Sequence, residues 1–437
     1  MSKPQKPTSP STSTPGIGRE RQTEIYVRGV SGQPPAVPVD FCGLEERARA
    51  AMSPEAFGYV AGGAGMERTM SANRQGFERW AIVPRMLRDV SVRDTSVEIF
   101  GTRYPSPYML APIGVLEMAH AEADLAVARA ARREGVPMIF SNQASVPMED
   151  CARELGQTPR FFQLYWSVSN DLVKSLVQRA EKAGCEAIVV TLDTTLLGWR
   201  TRDLDLAYLP FLRGKGIAQY TSDPVFRRLL QEDELEQEVG PERKVNLATI
   251  RVLMELAGNY PDGFFKSLTS GEALAAVRKF TGIYSRPSLT WEDLSFLREC
   301  TDLPIVLKGI CHVEDATLAR EHGIDGIVVS NHGGRQVDGA LSSIEALPAI
   351  AEAVGEDLTI FFDSGIRTGA DVFKAIALGA DAVLLGRPYV YGLAAGGEEG
   401  VVEVLRNFKA DFDLTMGLAG SRSLEEVRAA TLFERAP

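Results

Sequence analysis

Eight short apolar runs, rich in β-branched and aromatic residues, recur along the chain, and between most of them lies a stretch rich in Ala, Leu, Glu and Arg that suits one helix. In order they are YMLAPIG (Tyr108 to Gly114), PMIFSN (Pro137 to Asn142), RFFQLY (Arg160 to Tyr165), AIVVTLD (Ala187 to Asp193), PIVLKGI (Pro304 to Ile310), GIVVSNH (Gly326 to His332), TIFFDSGI (Thr359 to Ile366) and AVLLGR (Ala382 to Arg387). Runs this apolar suit strands buried on both faces, as in a parallel sheet. Eight strands alternating with helices predict an α/β fold, a TIM (β/α)8 barrel, whose chemistry gathers at the carboxyl ends of its strands.

The alternation fails once. More than a hundred residues separate Asp193 from Pro304, including YLPFLRGKGIAQYTSDPVF and the charged LLQEDELEQEVGPERK. A break of this length inside a compact domain is usually functional or disordered. Following the fourth strand, it is expected to hang over the carboxyl face as a lid insertion, about residues 204–290, with a peripheral subdomain as the alternative. An N-terminal helical extension precedes the barrel within a single domain of residues 40–430. It carries FGYVAGGAG, a short helix closed by a glycine turn, and from position alone Tyr59 reads as a core aromatic rather than one leaning over the mouth. Residues 1–25, rich in Ser, Thr, Pro and Lys with no apolar h-region, predict a disordered tail and no secretory signal.

Composition narrows the function. At 437 residues, 45% hydrophobic and 24% charged, the chain has the material for a large core, and no run approaches the roughly 18 apolar residues of a membrane helix. A net charge of -11 argues against nucleic acid as a partner and means that a local cationic pocket must attract any anionic ligand. The five cysteines, Cys42, Cys151, Cys185, Cys300 and Cys311, have no CxxC or metal-like spacing. Buried reduced thiols in a cytoplasmic protein are expected, and no metal. No GxGxxG opens a βα unit and no HExxH occurs, so neither a nicotinamide nor a zinc site is indicated.

The strand ends supply the candidate chemistry. They bring Pro112, Ile113 and Gly114; Ser141 and Asn142; Gln163 and Tyr165; Thr191 and Asp193 with Arg200 beyond; Lys308; and Ser330, His332 and Arg335 to one mouth. SNHGGRQ sets a proton carrier and an anion holder three positions apart. Arg335 and Arg200 suit a carboxylate clamp, and Asp193 beside His332 would raise the imidazole pKa; a salt bridge from Asp193 to Arg200 fits equally well. Strands seven and eight end in DSGIR, with Asp363, Gly365 and Arg367, and in Gly386 and Arg387, where barrels commonly bind phosphate. A purely structural pairing of Asp363 with an arginine is the alternative there.

Taken together, YVAGGAG, APIG, FFQLYW, TLDT with GWR, LKGI, SNHGGRQ, DSGIRTGADVFKA and LGRP resemble the FMN-dependent 2-hydroxy acid oxidase and dehydrogenase family over about residues 40–430. EIYVRGV, PRML, GWRTRDLD, PFLRG, SDPVF and TWEDL are most similar to its lactate 2-monooxygenase branch. The resemblance implies FMN as cofactor, His332 as catalytic base paired with Asp193, Arg335 and Arg200 on the substrate carboxylate, and Tyr59 and Tyr165 hydrogen-bonded to substrate. It implies Lys308 opposite the flavin N1 and O2. Ser141, Gln163, Thr191, Ser330 and the Pro112 to Gly114 backbone would lie along the isoalloxazine and ribityl chain, and Asp363, Gly365, Arg367, Gly386 and Arg387 at the ribityl and phosphate end. The expected activity is oxidation of a small L-2-hydroxy acid by O2, with lactate going to acetate, carbon dioxide and water. The alternatives are release of keto acid and hydrogen peroxide, transfer to another acceptor, or a flavin-binding barrel without catalysis. A homo-oligomer, tetramer or octamer, with no membrane partner is also implied. Gln143 and Thr195 depart from the aromatics that relatives carry, so this chain has its own pocket wall.

Overall fold

The computed structural model describes residues 16–233 and 247–435. The first fifteen residues of the expected tail and most of the charged stretch in the insertion lie outside them. Strands β1 (Tyr108–Leu110), β2 (Met138–Phe140), β3 (Arg160–Leu164), β4 (Ile188–Thr191), β5 (Ile305–Ile310), β6 (Gly326–Val329), β7 (Thr359–Phe362) and β8 (Ala382–Leu385) close into one parallel barrel, β8 pairing with β1 through Val383 and Tyr108. Most strands stop short of their apolar runs, so that Ser141, Asn142, Tyr165, Asp193, Ser330 and His332 follow the last ladder pair, while Gln163, Thr191 and Lys308 are still paired in the ladder. In YMLAPIG the stop has a plain cause: Pro112 has no N–H to extend the ladder.

One irregularity shapes the mouth. The register of β5 against β6 shifts between Lys308 and Ile310, and Gly309 takes φ 109°. A Cβ there would lie 2.8 Å from the Cβ of Asp193, so only glycine lets the fourth strand's carboxylate pack so close. At the opposite end a hairpin, Val97–Ile99 with Thr102–Tyr104, plugs the barrel, its turn residue Phe100 meeting the rings of Phe161 and Phe361 at 6.2 and 6.1 Å.

Before the barrel come helices α1 (Ile17–Val30), α2 (Phe41–Ala51), α3 (Pro54–Ala61) and α4 (Arg68–Glu78). The disorder expected through residue 25 does not hold from Ile17 on, where α1 begins. Arg21, buried on α1, donates to Glu403 at 2.7 Å and to Asn407 at 3.0 Å on the helix Arg387–Ala419 that follows β8, and this buried pairing orders a segment whose composition reads as tail. The cysteine expectation also needs correction: all five are free and Cys151 and Cys185 are buried, but Cys42, second in α2, is exposed, and Cys300 and Cys311 are half-buried.

The insertion is a cluster of helices, its last one Glu272–Ile283, seated on the loops that follow β2 and β3. Tyr220 is fully buried and its hydroxyl donates to Asn142 Oδ1 at 3.3 Å; the Gln219 side chain accepts from Met148 N at 3.0 Å; Asp223 pairs with Arg179 at 3.2 Å. Among the described residues no helix is long and apolar enough to cross a membrane. Because Arg21→Ala would strand Glu403 as a buried carboxylate, it is expected to destabilise the fold by about 3 kcal/mol. Denaturant unfolding checks this, and an unchanged midpoint would show α1 to be energetically detached.

Candidate active site

Where the strands end, the mouth opens into a cleft of about 1100 Å³, counted with the solvent it faces. His332 lines it. Its Nδ1 lies 2.7 Å from Asp193 Oδ1, and the same oxygen accepts the Thr194 hydroxyl at 3.1 Å. A carboxylate can only accept, so Nδ1 carries the proton and Nε2 keeps its lone pair. Asp193 does not pair with Arg200, whose guanidinium goes to Gln336 Oε1 at 2.9 Å and the Arg335 carbonyl at 3.3 Å. Gln336 in turn donates to the Asp193 carbonyl at 2.7 Å.

The expected rise in the imidazole pKa is not found. Burial pushes His332 down, Lys308 and Arg200 push the same way, and together they outweigh the upward pull of Asp193. The ring is thus neutral at neutral pH with a base nitrogen in hand. Asp193 stays ionised although burial raises it, because His332 and Lys308 pull it below the ordinary carboxylate value.

The cations fall into two kinds. Lys308, buried, donates to Ser330 Oγ at 2.6 Å and pairs with Asp363 at 2.8 Å, so the partner of Asp363 is this lysine and not an arginine. Burial works against its charge, but Asp363 and Asp193 hold its pKa above the ordinary value. Arg335, Arg367 and Arg387, by contrast, find only backbone carbonyls within hydrogen-bond reach among the described residues. Arg335 donates to Tyr59 O and, at 3.1 Å, to Gly62 O; Arg367 to Ile366 O at 2.8 Å; Arg387 to Val60, Gly333 and Gly62 at 3.0, 3.1 and 2.9 Å. Burial, then Arg200, pushes Arg335 down to about 9; burial, then Arg387, does the same to Arg367. Half-buried cations with no carboxylate bonded to them are costly to desolvate unless an anion joins them. Arg335 and Arg200 flank the ring of Tyr59, their guanidinium carbons 5.0 and 5.9 Å from its centroid, and suit one anion. Arg367, stacked on Phe41 at 4.2 Å, and Arg387, opening the helix after β8, suit another at the β7 and β8 corner.

The other sequence candidates sort by depth. Tyr59, Pro112, Ile113, Gly114, Tyr165, Arg200, Lys308, Asp363, Gly365 and Gly386 line the cleft with His332 and the arginines. Tyr59 is both buried and at the mouth, so its two readings merge. Ser141, Gln163, Thr191, Asp193 and Ser330 lie one layer beneath. Gln163 Oε1 accepts from Asn142 N at 3.0 Å, which leaves Gln163 Nε2 buried with no partner, as is Thr191 Oγ1. Two orphaned polar groups on adjacent strands fit the heteroatom edge of a flat bound ring, and the paired arginines with a helix N-terminus fit its phosphate. The residue set therefore fits FMN. Thr194, Leu197, Phe211 and Tyr284, absent from the strand-end candidates, also line the cleft. TLDT and PFLRG held the signal for Thr194 and Phe211. Tyr284 had none; it reaches the mouth beside Ser285, whose hydroxyl bonds Thr195 O from 90 residues away.

A family model for FMN-dependent dehydrogenases matches residues 48–434. An L-lactate oxidase of Lysinibacillus sphaericus is 39% identical over 411 residues, covering 94% of this chain and 96% of its own. Human (Homo sapiens) 2-hydroxyacid oxidase 1 is 36% identical over 383 residues, with 88% and 93% covered. A crystal structure of mandelate oxidase superposes with a TM-score of 0.73 at 36% identity, covering 92% of this chain and 100% of that one. The protein is thus a flavin-dependent oxidoreductase on a TIM barrel. It belongs to the FMN-dependent 2-hydroxy acid oxidase and dehydrogenase family.

The depressed imidazole carries a stability consequence. The unfolded chain binds this proton more readily than the folded one, so His332 destabilises the fold as pH falls from about 6.5 toward the lower folded value. Titration of the His332 ring by NMR is expected to give a midpoint below the ordinary 6.5; a midpoint above it would return the site to control by Asp193 alone.

Proposed function

We propose that the chain oxidises a small L-2-hydroxy acid, lactate being the expected substrate, with His332 as the base. The observation that carries this reading is the single geometry in which Asp193 holds Nδ1–H while Nε2 faces a cleft walled by Arg335, Arg200, Tyr59 and Tyr165. FMN, when bound, would supply the hydride acceptor and the route for electrons to O2. The rest belongs to the chain. Arg335 and Arg200 hold the carboxylate, which fixes the α carbon and turns its hydroxyl toward His332. Nε2 removes the hydroxyl proton, and Asp193 stabilises the imidazolium that results. Burial and Asp193 push the Tyr165 pKa up, so its phenol stays protonated and can donate to the substrate. In the same proposal Lys308, Gln163 and Thr191 hold the ring, Ser141, Ser330 and the Pro112 to Gly114 backbone flank it, and Arg367, Arg387, Gly365 and Gly386 hold the phosphate.

For the second half of the reaction we favour oxidative decarboxylation, lactate plus O2 giving acetate, carbon dioxide and water. Phe211 and Tyr284 support it: the insertion that carries them screens the mouth as a lid and would retain the keto acid beside the peroxide. The oxidase relatives support the other outcome, release of pyruvate and hydrogen peroxide. Five free thiols support a reducing, cytoplasmic setting, and exposed Leu253, Met254 and Phe265 on the insertion support a homo-oligomer.

His332→Gln is expected to leave FMN content unchanged and to slow anaerobic flavin reduction by about 10²- to 10⁴-fold; reduction at the original rate would remove His332 from the mechanism. Aerobic turnover of lactate, followed by product analysis, is expected to yield acetate. Stoichiometric pyruvate and peroxide would assign the oxidase outcome.

A further inference from the structure

The loop that carries His332 is pinned by a helix outside the barrel. Asn73, buried on α4, donates from Nδ2 to Asn331 Oδ1 at 2.8 Å, and Asn331 Nδ2 donates back to Asn73 Oδ1 at 2.7 Å. The same two oxygens also accept Gly334 N at 3.1 Å and Ser343 N at 3.2 Å, and Asn331 Nδ2 reaches Leu341 O at 3.1 Å. An amide pair closed in both directions fixes both side chains, and with these bonds it clamps the loop at its start and its end. Between the clamps His332, Gly333 and Gly334 take φ of 57°, 65° and 76°. Glycine adopts this left-handed backbone freely; histidine does so only when its surroundings impose it.

Further along, Asp338 accepts the N–H groups of Met66, Arg68 and Thr69 at 2.8, 2.7 and 3.2 Å, so loop and helix form one unit. Helix α4 also grips the phosphate corner: a Cβ on Gly365 would lie 2.5 Å from the Asn73 carbonyl oxygen, and Arg74 donates to the Gly365 carbonyl. Asn73 itself does not line the cleft.

We propose that Asn73 is a positioning residue: through Asn331 it holds His332 in the left-handed turn that keeps Nδ1 on Asp193 and Nε2 toward the mouth. The proposal rests on the assignment of His332 as base. Asn73→Ala in the FMN-loaded enzyme is expected to keep its FMN content and its KM for lactate, and to lose about 10- to 100-fold in the rate of anaerobic flavin reduction, the scale of a 1 Å misplacement. With only four histidines in the chain, the His332 ring is assigned by comparison with His332→Gln. Its midpoint in Asn73→Ala is expected to rise toward the ordinary value, because burial, the largest cause of its depression, is relieved. The isosteric Asn73→Asp, which keeps an acceptor for Asn331 and Ser343, is expected to fall between Asn73→Ala and the parent, and it is read by the same measurements should Asn73→Ala not fold. A variant less stable than the parent but with unchanged reduction rate and ring midpoint would make Asn73 merely structural and overturn the proposal. If His332→Gln itself reduces flavin at full rate, the base assignment fails instead, independently of Asn73.

Discussion

The hydrogen bond from His332 to Asp193 is the constraint around which the mouth is built. It requires a carboxylate from the end of β4 and an imidazole from the end of β6 to meet across β5, and the intervening strand makes room with its bulge at Gly309. Once the bond is formed the tautomer is set, and with it which nitrogen can act on a substrate. Attraction to Asp193 alone would raise the His332 pKa; burial, with Lys308 and Arg200 nearby, outweighs it.

The balance of charge against burial also separates the two kinds of cation at the mouth. Lys308 has Asp363, so its charge is balanced within the protein. Arg335, Arg367 and Arg387 lean on carbonyl oxygens, which satisfy N–H groups without neutralising them. A protein with net charge -11 thus keeps positive groups at least half-buried at two points, one suited to a carboxylate and the other to a phosphate.

Much of this was legible from the chain. The eight apolar runs announced the eight strands, since a parallel barrel buries both faces of each strand and leaves no polar alternation to blur the signal. His332, Arg335, Lys308 and the DSGIR corner were legible for a related reason: residues at the end of a buried run or just past it must stand toward the carboxyl face. Arg21 and Tyr284 were not legible. The order of α1 comes from a carboxylate 382 residues away, and Tyr284 reaches the mouth only because the insertion packs back on the loops after β2 and β3.

The barrel, its family and the identities of the groups at the mouth follow from local periodicity and motif spacing, which are properties of neighbouring residues. Which group meets which follows from the packing: Asp193 with His332 and not Arg200, Asp363 with Lys308 and not an arginine, and a histidine pKa that moves down rather than up. Those outcomes depend on distance and burial between segments far apart in the chain, and Coulomb attraction and desolvation take their sign and size only once the segments are in place.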